Sequence, residues 1–200
     1  MTKAEIQQKS VRRRRDMTKT KESILEAARG LFRNHGYDHV GLREIAAEAG
    51  CDKALVHRYF GSKEEIFRAV LATLRVAQPE NGDNQHIARS IVQQALHPDG
   101  QGYPIDDVLI TMRSISSPEV TDILRERVSN HVIGPLAHVL TGPDAGLRAR
   151  LAMAVVGGML MSRVLFPPSP GGEDAAQERR FEQLLVAALQ SDASADDCKA

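Results

Sequence analysis

Tryptophan is absent, and aromatic residues make up only 4% of the chain. Proteins that hold single-stranded nucleic acid stack bases on successive aromatic side chains, so that mode of binding is disfavoured at the outset. Cysteine is nearly as scarce. Cys51 and Cys198 stand far apart and form no CxxC pair. Neither a zinc site nor a disulfide framework is indicated, and a reducing cytoplasm is the simplest home. No run of about 18 uncharged apolar residues occurs. The longest apolar stretch is Leu151–Ser162, so no membrane span is expected. The N-terminus is polar and then basic, without an apolar signal core. No GxSxG, P-loop or dinucleotide fingerprint is present, which argues against an enzyme and against a bound cofactor. His35 and His39 are separated by the helix-breaking Gly36, and His131 and His138 by Gly134-Pro135, so no metal site is expected.

Net charge is also missing: 26 Lys and Arg balance 26 Asp and Glu. The balance is a cancellation. Residues 1–63 hold 14 basic against 8 acidic residues, a surplus of +6. Residues 64–200 hold 12 against 18, a deficit of −6. A basic head on an acidic body is compatible with a polyanion partner at one end only. Hydrophobic content of 42% with 26% charged residues is ordinary for a soluble globular protein.

The chain reads as all-α, with about nine helices. Residues 1–17, containing Arg12, Arg13, Arg14 and Arg15, read as a basic flexible arm. From Thr18 the pattern turns helical, with Ile24, Leu25, Ala28, Leu31 and Phe32 on one face and a stop at Gly36. Leu42–Ala49 forms a second helix broken by Gly50, and Asp52 caps a third that ends at Gly61. Ser62 and Glu65 make a capping box that opens a fourth, running to about Gln78. Five more are expected near 85–96, 105–115, 118–140, 146–165 and 174–190, with Gly134-Pro135 kinking or splitting the third of these. Residues 191–200 read as a disordered tail.

Leu42–Phe60 carries the main signal. Ala46 is small where two short helices cross, Gly50 sits where the turn needs positive φ, and Ile45, Ala49, Val56 and Tyr59 fill the wedge. This is a helix-turn-helix pattern, which offers the start of its second helix to a DNA major groove. A purely structural helical hairpin fits the same pattern.

The wider stretch resembles the DNA-binding domain of the tetracycline-repressor (TetR) family of transcriptional regulators. The resemblance rests on Ile24-Leu25-Glu26-Ala27-Ala28, Leu31-Phe32, His35-Gly36-Tyr37, Leu42-Arg43-Glu44-Ile45-Ala46-Ala47-Glu48-Ala49-Gly50, His57-Arg58-Tyr59-Phe60 and Lys63-Glu64-Glu65-Ile66-Phe67. It implies a DNA-binding domain at 18–75 and a helical ligand-binding and dimerisation domain at 76–190. It further implies that Lys53, Ala54, Leu55 and Arg58 face base edges. Thr18, Lys19, Arg43, His57, Tyr59 and Lys63 would contact phosphates, and Arg12–Arg15 would add an arm that reaches a minor groove or raises non-specific affinity. Some positions depart from the family pattern. Gly41 replaces a hydroxyl residue, Asp52 and Ala54 replace the common Ser and Gly, and His57 and Tyr59 reverse the commoner order. Asp52 would repel phosphates unless capping holds it or it accepts from a cytosine amine.

By the same resemblance the partners are a palindromic double-stranded DNA operator, a small-molecule effector and a second copy of the chain. Leu109, Met112, Arg113, Ile115, Val128 and Val132 are candidate effector-pocket residues, Arg113 being the cation for an anionic or polar ligand end. Gly157, Gly158, Met161, Phe181, Leu184, Leu185 and Ala188 are candidates for a four-helix dimer interface. The resulting expectation is a homodimeric, cytoplasmic repressor released by its ligand. The alternative is an architectural or non-regulatory helical module whose helix-turn-helix is incidental.

Overall fold

In the computed structural model the described residues are 3–74, 76–96, 104–166 and 173–190. Side chains are described from Asp16 onward within these ranges, except Pro104, Glu173 and Asp174. Among the described residues there are ten α-helices, one π-helical segment and no strand. The helices are α1 (Lys3–His35), α2 (Leu42–Glu48), α3 (Lys53–Phe60), α4 (Lys63–Thr73), α5 (Asn84–Leu96), α6 (Pro104–Ser114), α7 (Thr121–Val128), α8 (Gly134–Val139), α9 (Ala145–Leu165) and α10 (Glu173–Leu189).

Three boundaries differ from those expected. Helix α1 begins at Lys3, so the basic stretch expected as a flexible arm is helical from there. Lys, Arg, Gln, Glu, Ala and Met are good helix formers, and neither Gly nor Pro interrupts the chain before Gly30. The side chains of Arg12, Arg13, Arg14 and Arg15 lie outside the described residues. Helix α4 stops at Thr73 and not near Gln78. There the Gln94 side chain takes over the backbone, accepting from Gln78 N–H at 3.0 Å and donating to its carbonyl at 2.8 Å. Pro79 also turns Gln78 away from helical geometry. The helix expected over 118–140 is split by a π segment, Ser129–Ile133, between α7 and α8. Pro135 has no N–H to give and its ring crowds the preceding turn, so the backbone widens there by one residue.

The chain divides into two compact units. The first holds residues up to Thr73 together with Leu109–Asp122. Its core is Ile24, Ala28, Phe32, Tyr37, Val40, Ile45, Ala46, Val56, Ile66, Phe67 and Val70. The few aromatics are concentrated here: Phe67 packs edge-on against Phe32 at 5.1 Å and against Tyr37 at 5.2 Å between ring centroids. Such pairs add specificity of geometry to the area they bury.

The second unit holds Leu74–Val108 and the residues from Ile123 onward. Ile87, Ala88, Ile91 and Val92 of α5 pack with Leu136 of α8, Ala149, Ala152, Met159 and Leu160 of α9, and Leu185 and Leu189 of α10. Two buried arginines tie this unit together. Arg148 donates to the carbonyls of Thr141 (2.6 Å), Pro143 (3.2 Å) and Leu189 (2.8 Å). Arg127 donates to Asp107 at 3.1 Å and to the Leu74 carbonyl at 3.2 Å. Burial pushes the Asp107 carboxyl up, with Arg127 opposing the rise. Helix α9 is long and apolar enough by composition to cross a membrane. It carries Arg148, Arg150 and Arg163, however, and packs one face into this core.

Candidate nucleic-acid interface

Helices α2 and α3 are joined by a turn that the local sequence dictates. At the C-terminus of α2, Cys51 N–H reaches the Ala46 carbonyl at 2.9 Å and Gly50 N–H reaches that of Ala47 at 3.2 Å. This paired closure requires a left-handed residue, and Gly50 supplies it at φ +63°. Ile45, Ala46 and Val56 are buried in the wedge between the two helices. Gly41 offers no side chain as a cap, so one half of the usual reciprocal box is missing. The other half is present: Gly41 N–H donates to Glu44 Oε2 at 2.7 Å.

Asp52 caps α3. Its Oδ1 accepts from Ala54 N–H at 2.7 Å, which holds the carboxylate at the helix N-terminus. Lys53, Ala54, His57 and Arg58 are exposed, and Leu55 is half-buried. Thr18, Lys19 and Arg43 are exposed as well. Tyr59 is half-buried, as is Lys63. The Lys63 ammonium donates to the Tyr37 carbonyl at 3.1 Å and lies 3.9 Å from the centre of the Tyr37 ring. It therefore pins the α1–α2 turn, with two ammonium donors left over. Ser62 Oγ accepts from Glu65 N–H at 3.1 Å and so caps α4.

The stretch Leu109–Asp122 completes this unit from behind. Arg113 donates to the Arg33 and Asn34 carbonyls in the last turn of α1. Tyr37 N–H donates to Ser114 Oγ at 3.1 Å. Gly36 has φ +76°, and a Cβ there would strike the Arg113 backbone carbonyl. The Tyr37 hydroxyl is pushed up to about 12 by burial, then by the neighbouring Glu119. No local sequence signal marks these contacts, because each joins residues about 80 apart.

The residues expected to line an effector pocket are divided between the two units. Leu109, Met112, Arg113 and Ile115 belong to the first unit, and Val128 and Val132 to the second. Met112 and Ile115 are exposed, and the Arg113 guanidinium is occupied as the cap of α1. The interface set needs revision. Leu185 is fully buried inside its own unit, so it is not free to meet a partner, and Phe181 is half-buried against the same core. Gly157, Met161 and Ala188 are half-buried, while Gly158 and Leu184 are exposed. Sequence reasoning missed Lys21, which lies 5.8 Å from the Tyr59 ring centre. It also missed Leu147, Leu151 and Leu165, exposed apolar residues of α9. Cys51, in the turn itself, is half-buried, and burial raises its thiol. Among the described residues no group of three His, Cys, Asp or Glu is placed to hold a metal.

Comparison with known proteins agrees with this geometry. A family model described as "Bacterial regulatory proteins, tetR family" matches residues 24–70. A second, "Tetracyclin repressor-like, C-terminal domain", matches residues 104–178. The HTH-type transcriptional repressor SCO4008 of Streptomyces coelicolor is 36% identical over 91 residues, 42% of this chain and 47% of that protein. The HTH-type transcriptional activator FasR of Mycolicibacterium smegmatis is 27% identical over 148 residues, 68% of this chain and 65% of that protein. The matches thus span about half to two thirds of these relatives. Among solved structures, NalD of Pseudomonas aeruginosa shares the fold, with a TM-score of 0.64 at 18% identity, over 89% of this chain and 99% of that one. The chain, with its capped α2–turn–α3 and its helical second unit, belongs to the tetR family of bacterial transcriptional regulators.

Proposed function

We propose that the chain is a homodimeric repressor that binds a palindromic double-stranded DNA operator and is released from it by a small molecule. The observation that carries the DNA reading is the exposed basic surface built on α3. Lys53 and Arg58 project from a helix whose start is capped and whose rear is packed. Base recognition belongs to Lys53, Ala54, Leu55 and Arg58: cations to guanine O6 and N7, apolar groups to a thymine methyl. Thr18, Lys19, Arg43, His57, Tyr59 and Lys63 set register on phosphates, and Arg12–Arg15 reach a minor groove or raise non-specific affinity. Asp52 is exposed but spends one carboxylate oxygen on the Ala54 amide, which holds its charge at the helix N-terminus.

Dimerisation is supported by an apolar stripe on α9. Leu147, Leu151, Ala154, Gly158 and Leu165 recur at helical spacing and are exposed. A Cβ at Gly157 or Gly158 would meet nothing within 4 Å, so the protomer's own packing does not require these glycines. The open space leaves room for a second copy to approach closely. Leu184 of α10 adds to the same class of surface. The effector reading keeps Leu109, Met112, Arg113, Ile115, Val128 and Val132 as its candidate lining residues.

The test is selection of bound sites from random duplexes by the purified protein. A palindromic consensus is the expected result. Binding with no enrichment over background would mean an architectural role instead. Sedimentation of the protein alone should give the mass of two chains.

A further inference from the structure

Arg58 and Tyr59 are successive residues on α3, and neighbours in a helix point about 100° apart. Even so, the Arg58 guanidinium lies 5.6 Å from the centre of the Tyr59 ring. Lys21, on α1, brings its ammonium to 5.8 Å from the same ring. Two exposed cations thus share one half-buried aromatic ring. Five other arginines have acidic partners: Arg29 with Glu26, Arg68 with Glu64, Arg89 with Glu182, Arg127 with Asp107 and Arg163 with Glu178. Among the described residues no carboxylate pairs with Lys21 or Arg58. Two like charges gathered without a carboxylate are held by the negative face of the ring, and their charge is left for an external anion.

We propose that Tyr59 is a positioning residue that acts through its ring, setting Arg58 for base readout and holding Lys21 as an additional phosphate contact. This rests on the DNA-binding reading above, and it replaces the hydroxyl-to-phosphate role that resemblance gives Tyr59. The ring fixes the azimuth of a long, otherwise rotamer-rich arginine, so the entropy of ordering that side chain is lost before the duplex arrives. Lys21 extends the basic surface from α3 onto α1, on the same helix face as Thr18, three residues before it.

The experiment measures binding of the full-length protein to its selected duplex across a salt series. Tyr59→Leu removes the ring, and affinity should fall about tenfold with relaxed preference at one base pair, as for a lost specific contact. Tyr59→Phe restores the ring and should recover most of that loss. Lys21→Ala should weaken all sequences alike and lower the salt slope by about one. Equal loss in the Phe and Leu variants would make the hydroxyl the contact and overturn the positioning role. An unchanged salt slope in Lys21→Ala would remove Lys21 from the interface. Thermal melts of the Phe and Lys21 variants guard against misfolding as the cause. Failure of the unaltered protein to bind any duplex would sink the DNA-binding reading itself, and this inference with it.

Discussion

Single residues separate conformational demand from steric demand. Gly36 and Gly50 both sit at positive φ, but only Gly36 has a backbone carbonyl where a Cβ would go. Gly50→Ala should cost about 1–2 kcal/mol, the strain of a left-handed residue alone. Gly36→Ala should cost about 2–5 kcal/mol, because displacement of packed backbone is added. Equal shifts in denaturation midpoint would refute the clash with Arg113. Asp52 offers a functional contrast. Asn keeps the cap but drops the charge, so Asp52→Asn should bind DNA more tightly at unchanged melting temperature, while Asp52→Ala should lose about 1 kcal/mol of stability. Weaker binding by the Asn variant, with altered base preference, would instead mark Asp52 as a reader of cytosine. Tyr37 has a pH signature. Its hydroxyl ionises near 10 when unfolded and near about 12 when folded. Over that interval the folded state keeps a proton that the unfolded state has lost. Stability present below pH 10 therefore declines as pH rises and is gone above about 12. Tyr37→Phe should flatten that limb of the pH–stability curve.

Elements are joined by a few buried arginines. Arg148 links α9 to the turn at Thr141–Pro143 and to the end of α10. Arg148→Met fills the space but leaves those carbonyls unpaired, and should lower stability by about 2–4 kcal/mol. Arg148→Lys should recover less than half, since one ammonium cannot span the fork. Denaturant unfolding of the three proteins would check both. The ease with which each element was legible follows from the range of its causes. The α2–turn–α3 pattern was readable because Gly50, Ala46 and Asp52 act within a few residues. The caps at Asp52 and Ser62 are equally local. The extension of α1 was not, because a run of arginines reads as a solvated tail and nothing in it forbids a helix. Amphipathic spacing showed that α6 buries a face but not what it buries that face against. The contacts of Ser114 and Arg113 with the end of α1 and the turn after it cannot be read from that spacing. Leu185 was misplaced for the same reason: periodicity does not distinguish a core face from a partner face.

At the scale of the whole molecule, the first unit is assembled from two distant parts of the chain. A fragment of residues 1–75 lacks Arg113, Ser114 and Glu119, so the end of α1 and the Tyr37 N–H lose their partners. It should melt well below the same unit in the full-length protein. A synthetic peptide of residues 109–122 should raise its melting temperature in a concentration-dependent way. No response by circular dichroism would show that the N-terminal helices are self-sufficient. The opposite charge of the two parts, +6 for residues 1–63 and −6 for the rest, places the basic surplus with the helix-turn-helix. There is an evolutionary corollary. A reading head encoded as one uninterrupted stretch can be exchanged between related genes by a single crossover. Here a recombinant that swaps only residues before Leu74 mates a foreign Gly36-Tyr37 turn with a resident Arg113-Ser114 and should be less stable than either parent. New operator preferences should therefore arise here by point substitution on α3, and successful hybrids should carry the 109–122 segment from the same parent as the head.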